Sequence, residues 1–512
     1  MSLHDSLRRM NVLAKFLACV VGTASVGACG TEPGSVADEG VSDGYGQALG
    51  RDHGHGHGHG HGGAPGAAGA GGNGPAFDMR VVTLGLFAPY EITWGPDNWL
   101  WLTERVGRRI LRINPETEAR APVITIEDAF QTDGQDGVMG LALHPELLLG
   151  AGKDYVYVAY TYDGDPGPAL ERRVKLRRYT YNPASGGVGS PVDLITGLPG
   201  SFQHNSGRVV FGPDSHLYYT IGDQGNDQFE RKCLPIRSQE IPTQAEVDSG
   251  DYAKYVGKVL RLNLDGSIPD DNPVIDGTRS HIYSYGHRNP QGLVFSTQGK
   301  LYSDEHGPKS DDELNWVRPG KNYGWPNVAG YRDGRAYEYA NWSASSPTPC
   351  EQLTWNDYVV PRTVPTQSEF AFRHRDFMPP LATFFTVDDD FEFQDPACGG
   401  VDFMCWPTIA PSSLDYYPMT GAIPQFRHSL LITSMKYGSV FRAKLSQDGR
   451  SVVGAIPQFF ETTNRFRDLT ISADTRKIYV ITDSDNFTRT PEGGATTDLE
   501  HRGAILEFTY RN

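Results

Sequence analysis

The chain has 512 residues and a formal charge of −16, and so acidic a chain without a basic stripe is a poor partner for nucleic acid. Charged residues make up only 21%, whereas Gly (59) and Pro (35) are abundant and aromatics reach 11%. That balance excludes a mainly helical protein and points to short strands and many turns.

Residues 1–28 read as an export signal. Arg8 and Arg9 supply the positive start, and residues 11–28 are mostly apolar, interrupted by Lys15 and too short for a lasting membrane span. The VGAC ending sets Cys29 where a bacterial lipobox has its lipidated cysteine, so the expected destination is the periplasm or a lipid anchor on the outer membrane. Cleavage by the ordinary signal peptidase, giving a secreted protein, is the alternative. Residues 29–77 are Gly, Ala, Ser and Pro with few large apolar groups, and read as a tether that cannot offset its ordering entropy. Within it His53, His55, His57, His59 and His61 alternate with glycine, either as weak metal sites or as plain spacer. Of the six cysteines, Cys19 leaves with the signal and Cys29 sits at its end. An exported chain permits disulfides. Cys398 and Cys405 flank a Gly-Gly turn and are expected to pair, and Cys233 with Cys350 would form a long-range bridge. There is no C-x-x-C-H, so no c-type haem is built in.

From residue 78 to 512 a loose pattern recurs: apolar strand, turn with Pro, Ser, Asp or Gly, strand ending in Tyr or Trp, then a Gly-x-Ile/Val-x-Arg type strand. Copies lie at 92–114, 139–181, 209–266, 292–320, 429–449 (a partial copy) and 469–510. Short strands with no long helical period, repeated six times, predict an all-β chain. The expected architecture is a six-bladed β-propeller of four-stranded antiparallel blades. The last strands end at the chain terminus, so the ring is expected to close by mixing early and late strands in one blade.

The stretch 203–228, QHNSGRVVFGPDSHLYYTIGDQGNDQ, reads as two strands around a Gly-Pro-Asp turn. Such a hairpin delivers His204 and Asp223 to one rim, and a histidine beside a carboxylate is a tunable base. Arg288 and Asn289 lie on a loop bounded by Pro290. Residues 303–334 offer the carbonyls of Gly307 and Pro308 with Asp311, Asp312, Glu313 and Asp333. That is either a solvated acidic loop or a site for a hard cation such as calcium. Trp406, Thr408, Lys436, Arg465 and Arg467 sit on three further loops. As single residues they read as surface charge, and gathered on one ring they would need an acidic, planar ligand.

As a set, YYTIGDQG (218–225), GHRNPQG (286–292), GPKSDDE (307–313), NYGWPNVAGY (322–331), CWPTIAPSS (405–413) and NRFRD (464–468) resemble the soluble quinoprotein glucose dehydrogenases. These belong within the glucose/sorbosone dehydrogenase family. The resemblance implies oxidation of an aldose to its aldonolactone with pyrroloquinoline quinone (PQQ) and Ca2+, an external electron acceptor, and a homodimer. It implies that His204 is the base and Asp223 its partner. Gln135, Arg288, Asn289, Thr408, Lys436, Arg465 and Arg467 would contact the quinone, and Gln135, Gln228 and Trp406 the sugar. The carbonyls of Gly307 and Pro308 would hold the calcium at the quinone. Glu313, Tyr323, Ala329, Tyr331, Asp333 and Glu369 would hold structural calcium. Gln203, His306 and Phe229 depart from the glucose enzymes, which carry an acid, an amide and a smaller aliphatic there, so the resemblance reaches the cofactor further than the sugar. Two other classes compete: a calcium-dependent propeller hydrolase such as a lactonase, and a non-catalytic binding propeller. The first would leave the Lys436, Arg465 and Arg467 set idle, and the second would have no use for His204 beside Asp223.

Overall fold

A computed structural model describes residues 76–511, apart from 133, 399, 491 and 492. The export signal, Cys29 and the His-Gly stretch lie outside the described residues. Among the described residues, no helix is long and apolar enough to cross a membrane.

Six four-stranded antiparallel sheets form the blades of a propeller. Their innermost strands are Pro89–Trp94, Val138–Leu143, Val209–Phe211, Pro290–Phe295, Pro411–Tyr417 and Phe466–Ile471. Each packs against the next, and the sixth returns to the first, so the ring is closed. The closing blade mixes chain ends as expected: Phe77–Thr83 pairs antiparallel with Ile505–Tyr510, Met79 opposite Phe508. In the fifth blade the sequence pattern showed only the middle strands. Its inner strand is Pro411–Tyr417 and its outer strand the two-residue Gln458–Phe459.

Middle strands are covered by blades on both sides. Leu100–Glu104, Leu217–Ile221, Lys258–Leu262 and Ser429–Ser434 are buried at every position. A strand covered on both faces has no polar face to show. Burial of the aromatic and branched side chains between blades is therefore the main force holding the ring.

At the axis a single guanidinium, that of Arg208, joins the blades. Its Nη1 lies 2.5 Å from Glu91 Oε2 in the first blade and 2.9 Å from Asp468 Oδ2 in the sixth. Its Nε and Nη2 donate to the carbonyls of Gln291 and Ser412 in the fourth and fifth blades, each at 3.1 Å. Leu141 of the second blade donates its N–H to the same Glu91 carboxylate at 3.4 Å. Arg208 itself precedes the inner strand of the third blade. All six inner strands thus meet in one buried network.

Longer connections leave the ring between blade strands. One carries the helix Gln244–Ser249, started by a capping box between Thr243 and Glu246. Another, in the fourth blade, carries the ribbon Glu338–Ala340 with Thr366–Ser368. Both expected disulfides are present, Cys398–Cys405 and Cys233–Cys350.

Candidate active site

The hairpin forms as read, with Val209–Phe211 against Leu217–Ile221 and Val209 opposite Tyr219. Its two ends carry His204 and Asp223 to one place, with Nδ1 and Oδ1 2.7 Å apart. Both side chains are buried. The backbone before the first strand is left-handed at His204 (φ +50°), Ser206 (+54°) and Gly207 (+99°). Non-glycine residues hold such angles only where their surroundings fix them. Gln135 Oε1 accepts the His204 N–H at 2.8 Å, Tyr90 donates to the Ser206 carbonyl, and Gly207 N donates to Thr220 O at 3.0 Å. Gly222 permits the approach: a Cβ there would stand 2.2 Å from the His204 carbonyl.

Asp223 is fixed in turn. Gly225 N donates to Oδ1 at 2.9 Å and the Trp325 indole to Oδ2 at 2.8 Å. The Asp223 N–H donates to the Arg288 carbonyl at 2.7 Å, which ties the third blade to the fourth. The Arg288 guanidinium lies 5.3 Å from the Trp325 ring centre and reaches the Gln228 side-chain oxygen at 3.5 Å. Asn289 accepts from Ser206 Oγ at 3.1 Å. His204, Asp223, Gln135, Gln228, Arg288 and Asn289 therefore form one connected group.

The predicted cations fall in two adjoining places, linked where Arg465 Nη2 meets the sulfur of Met435, the residue before Lys436, at 3.5 Å. Lys436 Nζ is buried and donates to the carbonyls of Phe403 (2.7 Å) and Trp406 (3.1 Å) and to Thr408 Oγ1 (3.4 Å). Burial, with Arg489 beside it, holds its charge well below the ordinary lysine range. Arg465 and Arg467 both lean on Asp483, at 3.4 and 2.7 Å. Burial works against both charges. Asp483 more than restores that of Arg467, and Arg465 stays lowered. Arg105, which the sequence did not single out, also feels Asp483 and Arg467, and burial lowers it too. One buried carboxylate thus holds two guanidinium groups, with the charge of Arg105 nearby. Such a locality favours an anionic ligand that would be desolvated there.

Between the groups runs the 307–313 loop. Gly307 N donates to Asp312 Oδ1 at 2.9 Å, and the other Asp312 oxygen accepts from Ile409 N (2.7 Å) and Ala410 N (2.9 Å). Gly307, Pro308, Glu313, Tyr323 and Ala329 line one small cavity together with Glu305 and Arg288, about 10 Å³ and so the size of one water or one ion. Its carboxylates Glu305 and Glu313 share the Asn315 amide at 2.9 and 2.8 Å, and burial followed by Glu305 pushes Glu313 well above the usual range. Glu369 is also buried and accepts from Ala329 N (3.0 Å) and Gly334 N (2.8 Å), while Tyr331 and Asp333 lie further out on the same loop. Among the described residues, no three of these carboxylates each place an oxygen within 4.8 Å of the others. Buried carboxylates beside loop carbonyls are still the donor set a hard cation takes, and the residues fit that role.

Trp406 is buried, its indole N–H donating to Tyr358 OH (3.0 Å) and Phe393 O (3.1 Å), so its ring face is what it can offer a sugar. His306, one of the departures, lines the small cavity and bonds through Nε2 to the Pro411 carbonyl at 2.8 Å, joining the fourth and fifth blades. The sequence does not mark Trp325 or Arg105 as part of the site. Trp325 stands inside NYGWPNVAGY, so motif membership was its only signal. Arg105 carries no signal beyond its place at the end of a strand.

Comparison with known proteins gives a consistent picture. The Glucose / Sorbosone dehydrogenase family model matches residues 86–379 and 395–489. The chain is 44% identical over 439 residues to quinoprotein glucose dehydrogenase B of Acinetobacter calcoaceticus, covering 85% of this chain and 91% of that protein. Among solved structures, the PQQ-bound form of aldose sugar dehydrogenase from Streptomyces coelicolor superposes with a TM-score of 0.57 at 22% identity, covering 86% of this chain and 100% of that one. The apo form of the soluble aldose sugar dehydrogenase from Escherichia coli does so with 0.58 at 22%, covering 85% and 100%. These two bear on the fold alone.

Proposed function

Because the chain belongs to the glucose/sorbosone dehydrogenase family, we propose that it oxidises an aldose at its anomeric carbon to the aldonolactone, with PQQ and calcium as its cofactors. The observation that carries this reading is the buried His204–Asp223 pair at 2.7 Å, held in one network with Arg288. Bound PQQ supplies the two-electron acceptor, and bound calcium the Lewis acid that favours hydride arrival.

The chain's own residues do the rest. His204 removes the proton of the anomeric hydroxyl. With Nδ1 committed to Asp223, that work falls to Nε2. Asp223 fixes the tautomer and stabilises the imidazolium that forms. Lys436, Arg465 and Arg467 hold the carboxylates of the quinone, and Arg288, Asn289, Thr408 and Gln135 orient it. Gly307 and Pro308 offer carbonyls to the cation beside it, and Glu313, Tyr323, Ala329, Tyr331, Asp333 and Glu369 surround structural calcium. Gln228, Gln135 and Trp406 face the sugar. An external acceptor takes the electrons away.

Export, lipid anchoring at Cys29 and a homodimer are parts of the same proposal and rest on the sequence. The test is direct. The stripped protein should gain a quinone absorbance band and dye-reducing activity on an aldose panel only when PQQ and Ca2+ are both supplied. Undiminished oxidation by the fully stripped protein would overturn the reading.

A further inference from the structure

The loop that carries Asp223 and Gln228 does not end on its own blade. It runs through the short turn Phe229–Arg231 to Cys233, which is bonded to Cys350 across 117 residues of chain, Cα to Cα 5.5 Å. Cys350 belongs to the long connection of the fourth blade. Two further contacts join the same two segments, and a third braces one of them from within. Ser343 N donates to Asp227 Oδ1 at 2.7 Å. The Phe229 ring lies 5.6 Å from that of Trp355. Trp355 packs at 4.8 Å against Trp342, which is almost fully buried. Phe229 and Trp355 are only half-buried, so an aromatic surface stays accessible next to Gln228. On the far side, Asp227 N donates to Arg231 O at 3.1 Å and Arg231 grips Asn226 at 2.8 and 3.0 Å, so the loop is closed upon itself as well.

A disulfide between segments so distant in sequence fixes their relative position in a way that side-chain contacts alone do not. Fixing a wall of a binding site removes the ordering that the ligand would otherwise have to drive. We propose that Cys233–Cys350 is a specificity staple: it locks the 341–355 segment against the 222–233 loop as the outer wall of the sugar site, so that Phe229 and Trp355 set which aldoses enter. The staple acts through the loop and is a positioning element. Its meaning for substrate choice rests on the function proposed above.

The experiment compares wild type with the C233S/C350S double variant, both full-length and reconstituted with PQQ and Ca2+. The double variant is expected to show KM for the preferred aldose raised about tenfold, kcat within about twofold, and relative kcat/KM shifted toward bulkier aldoses. Its quinone titration should match wild type. Hydrogen exchange of residues 224–232, measured without cofactor, should be faster. A cross-link that only supports the fold would lower the active fraction and leave KM, the sugar ranking and the exchange of that loop unchanged, and that result overturns the proposal. If the double variant does not fold, W355A and F229L probe the same wall, and unchanged KM and ranking in both would overturn it equally. A wild type that oxidises no aldose defeats the functional reading instead, while the exchange measurement still decides whether the staple holds the loop.

Discussion

Trp325 donates its indole N–H to Asp223 Oδ2 at 2.8 Å, across 102 residues, while the other oxygen of that carboxylate holds His204 Nδ1. The base is therefore fixed from two blades, and its partner is fixed before any sugar arrives. A sugar hydroxyl is a very weak acid, so hydride loss is slow unless a base takes its proton. His204→Ala is expected to lower kcat by about 10²–10⁴ with quinone binding near normal. D223N should cost less and move the acidic limb of kcat/KM to lower pH, because an imidazole without its carboxylate is a weaker base. Wild-type kcat in the His204 variant on every sugar the parent oxidises would place the base elsewhere.

The cation group makes a separate prediction. Arg465 is buried, is lowered by that burial, and shares Asp483 with Arg467. A ligand carboxylate arriving there would relieve a desolvated charge. Truncating one partner of such a contact costs about 2–5 kcal/mol, so R465A should weaken PQQ at least tenfold in a fluorescence titration while circular dichroism stays unchanged. An unaltered titration would remove Arg465 from the cofactor site.

Much of this was legible in the chain because the informative signals are local. His204 and Asp223 end two strands of one hairpin, and the six-fold pattern gave the blade count. Where the reading failed, the cause was three-dimensional. The inner strand Pro411–Tyr417 was absorbed into a polar motif, so the fifth copy looked incomplete. Trp325 meets Asp223 only once the fourth blade is folded beside the third. Arg208 falls just before the strand Val209–Phe211, and nothing in its neighbours along the chain signals that Glu91 and Asp468 converge on it from opposite ends of the sequence.

That convergence is expected to matter for stability. Removing Arg208 would leave two buried carboxylates without their counter-ion, and breaking a buried ion pair on one side typically costs about 3–5 kcal/mol. R208M should therefore lower the midpoint of urea unfolding strongly. The paired change R208M/E91Q should recover part of the loss, since it removes one of the stranded charges. Equal midpoints for the single and double variants would show that Glu91 does not depend on Arg208.

Asp227 offers a test that needs neither cofactor nor sugar. Burial pushes its carboxyl from the ordinary 3.8 to about 7, with the Ser343 N–H and Tyr339 holding it back. An acid whose folded pKa is raised keeps a proton that the unfolded chain has already lost. Between about pH 4 and pH 7 the folded state thus binds more protons, and stability falls as pH rises through that window. Above it the penalty is constant, at most about 4 kcal/mol for a shift of this size. D227N keeps an oxygen for the Ser343 N–H and has nothing to titrate. Its stability relative to wild type should therefore grow from pH 4 to pH 7.5 and then level off, as read by unfolding midpoints across pH. Parallel profiles would mean that Asp227 is ionised in the folded protein throughout, and that the loop beside Gln228 holds its charge by other means.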